Sequence, residues 1–304
     1  MLYLTEEDVR ELLPMREAIK LMAEAFFALA HGTAVNQPRR RLILDTGAAL
    51  HSMAASYGGF FGTKFYSTHP QHGFHFYFFL FDAKTAEPLA QMEANHLGQI
   101  RTGAASGYAT DLLADPQAET LGVIGSGFQA RTQIEAIRAV RPINTVRIWS
   151  RSAEKRRKAA EECGGQAVDS AEEAVRGAQI VVTATNSPEP VIQDSWVAPG
   201  SMVNAMGANR PNTRELPGEL VRRAGLVAVD SLEQAKIEAG DLILPNHWSN
   251  VRELQSVQRQ FDAQGITIFK SLGICVEDVA AGAYVYERAK AIPERFADRY
   301  RARR

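Results

Sequence analysis

The chain has 304 residues, of which 45% are hydrophobic and 23% charged, and its formal net charge is −1. This balance gives no electrostatic case for binding nucleic acid or an anionic membrane, and the longest apolar run, 76–81, is too short to span a bilayer. The length suggests two domains. The basic tail, 301–304, predicts a solvated helix end, and two cysteines without metal or redox spacing predict a cytoplasmic protein with reduced thiols.

The first third of the chain predicts two helices followed by strands. Thr5-Glu-Glu-Asp8 is typical of a helix start, and Pro14 suits the first turn of a second helix. Candidate strands follow at 40–44, 51–55, 61–66, 74–81 and 89–92. Because no helices separate these strands, they favour a mostly antiparallel or mixed sheet, after which a helix is predicted over 96–114.

From residue 121 onward, strands and helices alternate. Strands are predicted at 121–124, 145–149, 179–183, 202–204, 226–229 and 267–269. Helices are predicted near 128–140, 153–162, 171–176, 231–238 and 250–260. This alternation is typical of an α/β fold with a doubly wound Rossmann domain. A final alanine-rich helix, about 276–290, could return to the first domain and make it discontinuous.

The strongest motif follows the first of these strands. Gly125-Ser-Gly127-Phe-Gln-Ala130 fits the G-x-G-x-x-G/A pattern of a dinucleotide-binding turn, in which the second glycine lets the backbone approach a pyrophosphate. The next helix would aim its N-terminal N–H groups at the phosphates. The second strand ends at Trp149-Ser-Arg-Ser152, with no acid to repel a 2′-phosphate, so we predict NADP(H) preference with NAD(H) possible. Alternatively, Arg151 stacks on adenine and either cofactor fits.

Three residues could carry chemistry. Lys64 lies among aromatic residues on a strand, where it needs an anionic partner or loses its proton, unless it is an edge lysine that reaches solvent. Arg101 could form a bidentate pair with a carboxylate, or it could lie at a surface or interface. Asp230 ends a strand at the edge where such folds bind ligands, and it is either a general acid or base or the N-cap of the following helix.

Two further clusters are less specific. In the run Arg39-Arg-Arg41, strand alternation puts Arg40 on the opposite face from its two neighbours. The histidines at 69, 72 and 75 lack carboxylate or thiol companions, so we predict no metal site.

Taken together, several stretches resemble the ornithine cyclodeaminase/mu-crystallin family over nearly the whole chain. They are Pro38-Arg-Arg40, Thr63-Lys64-Phe65, Phe81-Asp82, Arg101-Thr-Gly-Ala-Ala-Ser106, Leu121–Gln133, Val229-Asp230-Ser231, Gly240-Asp241 and Phe269-Lys-Ser-Leu-Gly273. The resemblance implies that Arg40, Lys64 and Arg101 hold a substrate carboxylate and that Asp230 is catalytic together with Lys64. The predicted cofactor-binding residues are Thr102, Gly125, Gly127, Phe128, Gln129, Ala130, Ser150, Arg151, Ser152, Thr183, Thr185 and Gly273. The chain departs from the family at Glu93-Ala94, where Asp-Gly is usual, which we expect to alter the pocket near the reacting carbon.

The resemblance also implies the domain roles and the reaction. We predict a substrate-binding and dimerisation domain over 1–114 and 276–304, and a dinucleotide-binding domain over 115–275. A homodimer is also favoured by the aromatic strand 74–81, which has little alternation and so predicts cover on both faces.

The predicted activity is NADPH-dependent reduction of a cyclic ketimine carboxylate, such as 1-pyrroline-2-carboxylate, to an L-imino acid. The inferred NADP(H) site favours a cofactor that is exchanged at each turnover. The alternatives are an ornithine cyclodeaminase with tightly held NAD, an alanine-type dehydrogenase acting on an amino acid, and a binding protein of mu-crystallin type without turnover.

Overall fold

The computed structural model describes residues 1–299, so the predicted helix end at 301–304 lies outside it. The described chain forms two compact units: the second is Thr102–Leu272, and the first takes the chain on both sides of it. These divisions fall after residues 101 and 272, whereas the sequence pattern predicts them after 114 and 275.

Fifteen strands and ten α-helices make up most of the described residues. In chain order, the strands are β1 (Leu2–Leu4), β2 (Val35–Asn36), β3 (Arg40–Ile43), β4 (Ala49–Tyr57), β5 (Phe60–His69), β6 (Gly73–Asp82), β7 (Pro88–Glu93), β8 (Thr120–Ile124), β9 (Thr145–Trp149), β10 (Gln166–Ala167), β11 (Ile180–Thr183), β12 (Met202–Ala205), β13 (Leu226–Val229), β14 (Val251–Glu253) and β15 (Thr267–Lys270). The α-helices are α1 (Glu6–Leu12), α2 (Met15–Ala30), α3 (Asn95–Leu113), α4 (Phe128–Val140), α5 (Ala153–Cys163), α6 (Ala171–Val175), α7 (Gly218–Arg223), α8 (Leu232–Glu238), α9 (Gly240–Ile243) and α10 (Cys275–Lys290).

The first unit is built on a mixed sheet, as predicted. Its strand order is β1-β7-β6-β5-β4-β2, with β3 also paired to β4; β1 runs parallel to β7 and the other pairs are antiparallel. Helix α10 packs on β4 and β5, and its Gly282 lies so close to the ring of Phe78 that any side chain there would collide. Met53, Phe78 and Leu80 are buried in this core, so the last helix of the chain completes the first unit.

The opposite face of the same sheet is aromatic. The rings of Phe61 and Phe81 stack with centroids 5.1 Å apart, and Phe65 stacks on Phe79 at 5.6 Å. Tyr77, which is paired with Phe65, is exposed, and the four phenylalanines are only partly buried. Within one chain, therefore, strand β6 is well covered on one face only.

The second unit has the predicted doubly wound topology. Its sheet is entirely parallel in the order β10-β9-β8-β11-β12-β15-β13-β14, and helices connect most of the strands. Strand β8 lies between β9 and β11, so the strand order reverses beside it. Folds of this type bind ligands at such a reversal, at the carboxyl ends of the strands.

One predicted helix, 250–260, is wrong. Residues 251–253 form β14, which pairs in parallel with β13, and a short 3₁₀ turn, Leu254–Ser256, follows. The side chain of Asn250 donates to the carbonyl oxygens of Val221 and Ala224, which fixes the start of this strand. Pairing with an exposed strand edge thus overrides the helical pattern of the sequence.

Neither a membrane span nor a metal cluster is found in residues 1–299. No described helix is long and apolar enough to cross a membrane. No group of three or more His, Cys, Asp or Glu side chains in that range could hold a metal ion.

Candidate functional sites

In the first unit, two buried cations share one carboxylate oxygen. Lys64 on β5 is 2% exposed, and its Nζ donates to Oδ1 of Asp278 at 2.9 Å. Arg101 donates from Nε to the same oxygen at 3.1 Å and from Nη1 to Oε2 of Glu277 at 2.7 Å. Both carboxylates lie in the first turn of α10, where the helix dipole favours negative charge. We call these four residues the first-unit ion cluster.

Two glycines make room for the cations. A Cβ at Gly98 would lie 2.6 Å from Nζ of Lys64. A Cβ at Gly273, whose φ is +74°, would overlap Nη1 of Arg101. Gly273 was predicted to bind the cofactor; the structure places it beside Arg101 in the first unit.

The pKa values of the cluster show which member is poised to change its charge. Burial lowers the pKa of Lys64 below its ordinary value, although Asp278 partly offsets this. Burial would raise the pKa of Asp278, but Arg101 and Lys64 outweigh that effect and hold it below its ordinary value. Burial opposes the charge of Arg101 as well, yet Asp278 and Glu277 raise its pKa. Lys64 is therefore the member of the cluster that releases its proton more readily than an ordinary residue of its type.

The arginine run behaves differently from the family-based expectation. Arg39 is buried, and its Nη2 donates to the carbonyl oxygen of Gly273 at 3.0 Å. Arg40 is exposed and pairs across the sheet with Ser52, whereas Lys64 pairs with Met53, so Arg40 and Lys64 lie on opposite faces. The structure thus does not bring Arg40 to the first-unit ion cluster, and its predicted role in substrate binding stays a prediction.

Arg39 instead adds a third buried cation to this region. It reaches the same glycine that borders Arg101. Arg39 thus joins Arg101 at Gly273, just before α10 begins. Buried cations with N–H donors to spare suit the carboxylate of a ligand.

The departure at Glu93 has a structural explanation. Its carboxylate accepts from the Tyr3 hydroxyl at 2.7 Å and from the backbone N–H of Glu6 at 2.9 Å. Glu93 therefore fastens the N-terminal strand β1 and the start of α1 to β7.

In the second unit, the glycine turn after β8 fits a dinucleotide. Gly125 has φ +124°, and any side chain there would overlap the backbone of Ala184. Gly127 is the N-cap of α4; a Cβ there would meet no protein atom within 4 Å, so the space over this turn is open. Oε1 of Gln129 is buried without a hydrogen-bond partner among residues 1–299. The open space at the N-terminus of α4, toward which its first N–H groups point, fits a pyrophosphate-bearing cofactor.

The remaining predicted residues near this turn take distinct positions. Ala130 is 2% exposed, which allows α4 to pack closely, and Phe128 is 45% exposed. The carbonyl oxygen of Thr102 accepts from Nε2 of Gln133 at 3.3 Å.

After β9, two hydroxyls and an arginine follow in sequence. Ser150 accepts from the Ser126 hydroxyl at 2.8 Å and donates to the carbonyl oxygen of Ser152 at 3.2 Å. Ser152 caps α5 by accepting from the Lys155 N–H, and Arg151 is exposed. Residues 150–152 thus offer hydrogen-bonding groups and one positive charge, with no carboxylate among them.

Asp230 lies directly after β13 and is fully buried. Its Oδ2 accepts from the Leu272 N–H at 2.6 Å, and its Oδ1 accepts from the Ser231 N–H at 3.0 Å. The N-cap of α8 is Ser231, whose side chain accepts from the Gln234 N–H. The alternative role of Asp230 as the helix cap is therefore taken by its neighbour, and the carboxylate is fixed in place by backbone donors.

A second buried ion cluster holds the ends of three strands. Oε1 of Glu215 accepts from the N–H and hydroxyl of Thr185, both at 2.7 Å, and Oε2 accepts from the Thr183 hydroxyl at 3.0 Å and the Gly207 N–H at 2.7 Å. Lys270 at the end of β15 pairs with Asp241 at 3.0 Å. We call Glu215, Asp241 and Lys270 the second-unit ion cluster. The hydroxyls of Thr183 and Thr185, predicted to bind cofactor, are thus directed at Glu215.

Sequence reasoning missed most of these partners. Asp278, Glu277 and Glu215 lie in stretches that match no sequence motif. Lys270 and Asp241 lie in stretches that resemble the family, but no role was predicted for either residue. The apolar residues that flank these positions predict that the charged side chains are buried. A buried charge requires an opposite charge nearby, and this requirement could have revealed the partners.

Comparison with known proteins gives a consistent result. A family model described as the ornithine cyclodeaminase/mu-crystallin family matches residues 1–292. The ketimine reductase mu-crystallin of Mus musculus is 38% identical over 212 residues, which are 68% of this chain and 67% of that protein.

Two solved structures resemble the chain over nearly its whole length. The Δ1-pyrroline-2-carboxylate reductase of Thermococcus litoralis, in complex with NADH and L-proline, is 30% identical with a TM-score of 0.90 and covers 96% of this chain and 98% of its own. An archaeal alanine dehydrogenase dimer with bound NAD is 32% identical with a TM-score of 0.91 and covers 96% of this chain and 97% of its own.

Proposed function

The chain belongs to the ornithine cyclodeaminase/mu-crystallin family, and on that premise we propose that it is a nicotinamide-dependent oxidoreductase that reduces a cyclic ketimine carboxylate to an L-imino acid. The proposed substrate has a five- or six-membered ring, as in 1-pyrroline-2-carboxylate, whose reduction gives proline. The observation that carries the proposal is the pair of buried cations Lys64 and Arg101, which share one carboxylate oxygen and keep further N–H donors, in a chain that also has a dinucleotide turn. The relatives named as ketimine and pyrroline-2-carboxylate reductases support it.

The substrate carboxylate is the group that the cations would hold. A guanidinium has five N–H donors and an ammonium has three, so the bonds of Arg101 and Lys64 to α10 do not exhaust either group. Two or three donors on one carboxylate fix the direction of the ring, and orientation of this kind is worth several kcal/mol of barrier.

Reduction of the C=N bond adds a hydride to carbon and a proton to nitrogen. The nicotinamide, when bound, supplies the hydride. Lys64 is a candidate for the proton because burial lowers its pKa, so it releases a proton more readily than an ordinary lysine. Asp230, held by two backbone donors, would stabilise the positive charge of a protonated imine.

We propose NADP(H) as the preferred cofactor, with NAD(H) as the alternative. Arg151 and the two serine hydroxyls beside it can bind a 2′-phosphate, and an Asp or Glu that would repel one does not occur at 150–152. Titration of the protein with each reduced cofactor, followed by nicotinamide fluorescence, tests this. Tighter binding of NADH than of NADPH would contradict the preference.

The activity is tested by supplying NADPH with 1-pyrroline-2-carboxylate and following the absorbance of the reduced nicotinamide. Oxidation of NADPH with stoichiometric formation of proline is the expected result. Formation of proline and ammonia from ornithine, without added reductant and without ketimine reduction, would instead identify a cyclodeaminase. Oxidation of NADPH only with pyruvate and ammonia would identify an alanine-type dehydrogenase, and binding without any turnover a binding protein.

We further propose a homodimer formed through the aromatic face of the first-unit sheet. Phe61, Phe65, Phe79 and Phe81 are only partly buried there, and apolar sheet faces of this kind are usually covered. Multi-angle light scattering at micromolar concentration should give twice the mass of the chain. A monomer under these conditions would refute the proposal.

A further inference from the structure

We propose that Asp278 is a positioning residue for substrate binding: it holds Lys64 and Arg101 side by side and keeps Lys64 charged until the substrate carboxylate becomes a second partner. The role in substrate binding rests on the proposed function. The role as counter-ion of Lys64 does not, and it can be tested separately.

The geometry of the Asp278 carboxylate supports this role. One oxygen, Oδ1, accepts from both Lys64 and Arg101, at 2.9 and 3.1 Å. The other oxygen, Oδ2, is buried and has no hydrogen-bond partner among the residues that the structure describes. Asp230, by comparison, uses both oxygens to accept from two backbone N–H donors. Asp278 instead directs its hydrogen bonding at the two cations.

The surroundings of Lys64 leave its charge dependent on Asp278. Helix α10 also presents Cys275, whose thiol is neutral because burial raises its pKa. Helix α3 presents Arg101, a like charge, and β6 presents the ring of Phe76, with its centroid 5.6 Å from Nζ. Asp278 is the one carboxylate that pairs with Lys64 in residues 1–299, because Glu277 bonds to Arg101. Without Asp278, a buried lysine beside an arginine would release its proton.

The consequence differs between the free and the substrate-bound protein. In the free protein, Asp278 alone compensates Lys64, so loss of its charge should lower the pH at which Lys64 deprotonates. In the complex, the substrate carboxylate supplies a second negative charge and partly replaces it. The pH dependence of kcat/KM, which reports the free enzyme, should therefore respond more than that of kcat.

The first experiment compares pH profiles of the full-length wild-type protein, Asp278→Asn and Glu277→Gln, with saturating NADPH and 1-pyrroline-2-carboxylate. In Asp278→Asn the alkaline limb of kcat/KM should move down by at least about one pH unit, and that of kcat by less. Glu277→Gln is the matched control, since it adjoins Asp278 on the same helix turn but touches the guanidinium, which does not titrate. Equal loss of activity at every pH in Asp278→Asn, or the same shift in Glu277→Gln, would overturn the proposal.

The second experiment measures thermal unfolding against pH and needs no activity. If Lys64 is neutral in folded Asp278→Asn but protonated when unfolded, the unfolded state binds more protons, and stability should rise with pH up to the ordinary lysine pKa of about 10.4. This slope should be steeper than in the wild type and should disappear in Lys64→Met/Asp278→Asn. If Asp278→Asn does not fold, folding of the double variant supports the proposal and failure of both variants refutes it.

The two experiments separate the two claims. A wild-type protein that reduces no ketimine would remove the proposed function but leave the unfolding test valid. An Asp278→Asn variant whose stability has no additional pH dependence would refute the counter-ion role whether or not the protein is a reductase.

Discussion

The two buried ion clusters differ in how far the protein itself satisfies them. In the second unit, Glu215 accepts four hydrogen bonds from Thr183, Thr185 and Gly207, and Lys270 donates to the carbonyl oxygens of Ala205 and Ala208 as well as pairing with Asp241. In the first unit, one carboxylate oxygen is shared by two cations, and a third cation lies close by.

This difference suggests different tasks. Buried charges that are saturated by backbone and hydroxyl groups fix the ends of strands, so their removal should cost stability. Buried cations that keep unused N–H donors can receive a ligand, so their removal should cost binding and turnover. Substitutions in each cluster separate these two outcomes.

The largest effect is expected for Arg101→Ala. Loss of the guanidinium removes the main donor to the substrate carboxylate, and kcat/KM for the ketimine should fall about 10³-fold or more, equivalent to about 4 kcal/mol. NADPH affinity, measured by fluorescence, should change less than about twofold, which corresponds to a few tenths of a kcal/mol. A fall of less than tenfold would place Arg101 outside substrate binding.

Lys270→Met should act on stability instead. It leaves the carboxylate of Asp241 buried without its cation, and breaking a buried pair in this way costs about 3–5 kcal/mol. Equilibrium urea unfolding would measure the loss, and Lys270→Met/Asp241→Asn should recover part of it. A stable Lys270→Met protein with reduced turnover would show that the second-unit ion cluster is not structural.

A matched pair of arginines tests which face of the first-unit sheet binds the substrate carboxylate. Arg39→Ala should raise KM for the ketimine about tenfold, because it removes the third buried cation. Arg40 is the next residue and lies on the opposite face of the sheet. Arg40→Ala should change KM less than about twofold, as is usual for an exposed charge. The reverse ranking would restore Arg40 to the role that the family resemblance implies.

The smallest effect is expected for Arg151→Ala, where the charge is exposed. The dissociation constant of NADPH should rise about five- to tenfold, or about 1 kcal/mol, whereas that of NADH should stay within about twofold. Fluorescence titration with both cofactors measures the difference. Equal weakening of both would mean that Arg151 stacks on adenine rather than binding a 2′-phosphate.

Local patterns were enough to predict most of the fold. The apolar run before Gly125 and the alternation after it predict the parallel sheet, because strand, turn and helix are each encoded within about ten residues. The helix predicted at 250–260 failed because pairing with β13, which lies far away in sequence, decided the structure of residues 251–253.

The candidate site was only half predictable for the same reason. The sequence indicated that Lys64 needs an anionic partner, but Asp278 lies 214 residues away and has no motif of its own. Strand alternation predicted that Arg40 lies on the opposite face from Arg39 and Arg41, and the family resemblance predicted that Arg40 binds the substrate. In the structure, Arg39 is the buried residue. Contacts between distant residues depend on the packing of α10, which periodicity cannot reveal.

The late position of α10 has a consequence for synthesis on the ribosome. Lys64 emerges 214 residues before Asp278, which at about 5–20 residues per second is an interval of about 10–40 s. Throughout that interval the first unit lacks the negative charges that allow Lys64 and Arg101 to be buried. The second unit is one continuous segment and is complete before α10 is made. The second unit, which begins later in the sequence, is therefore the first that can finish folding. The sheet of the first unit remains without its covering helix until α10 has been synthesised.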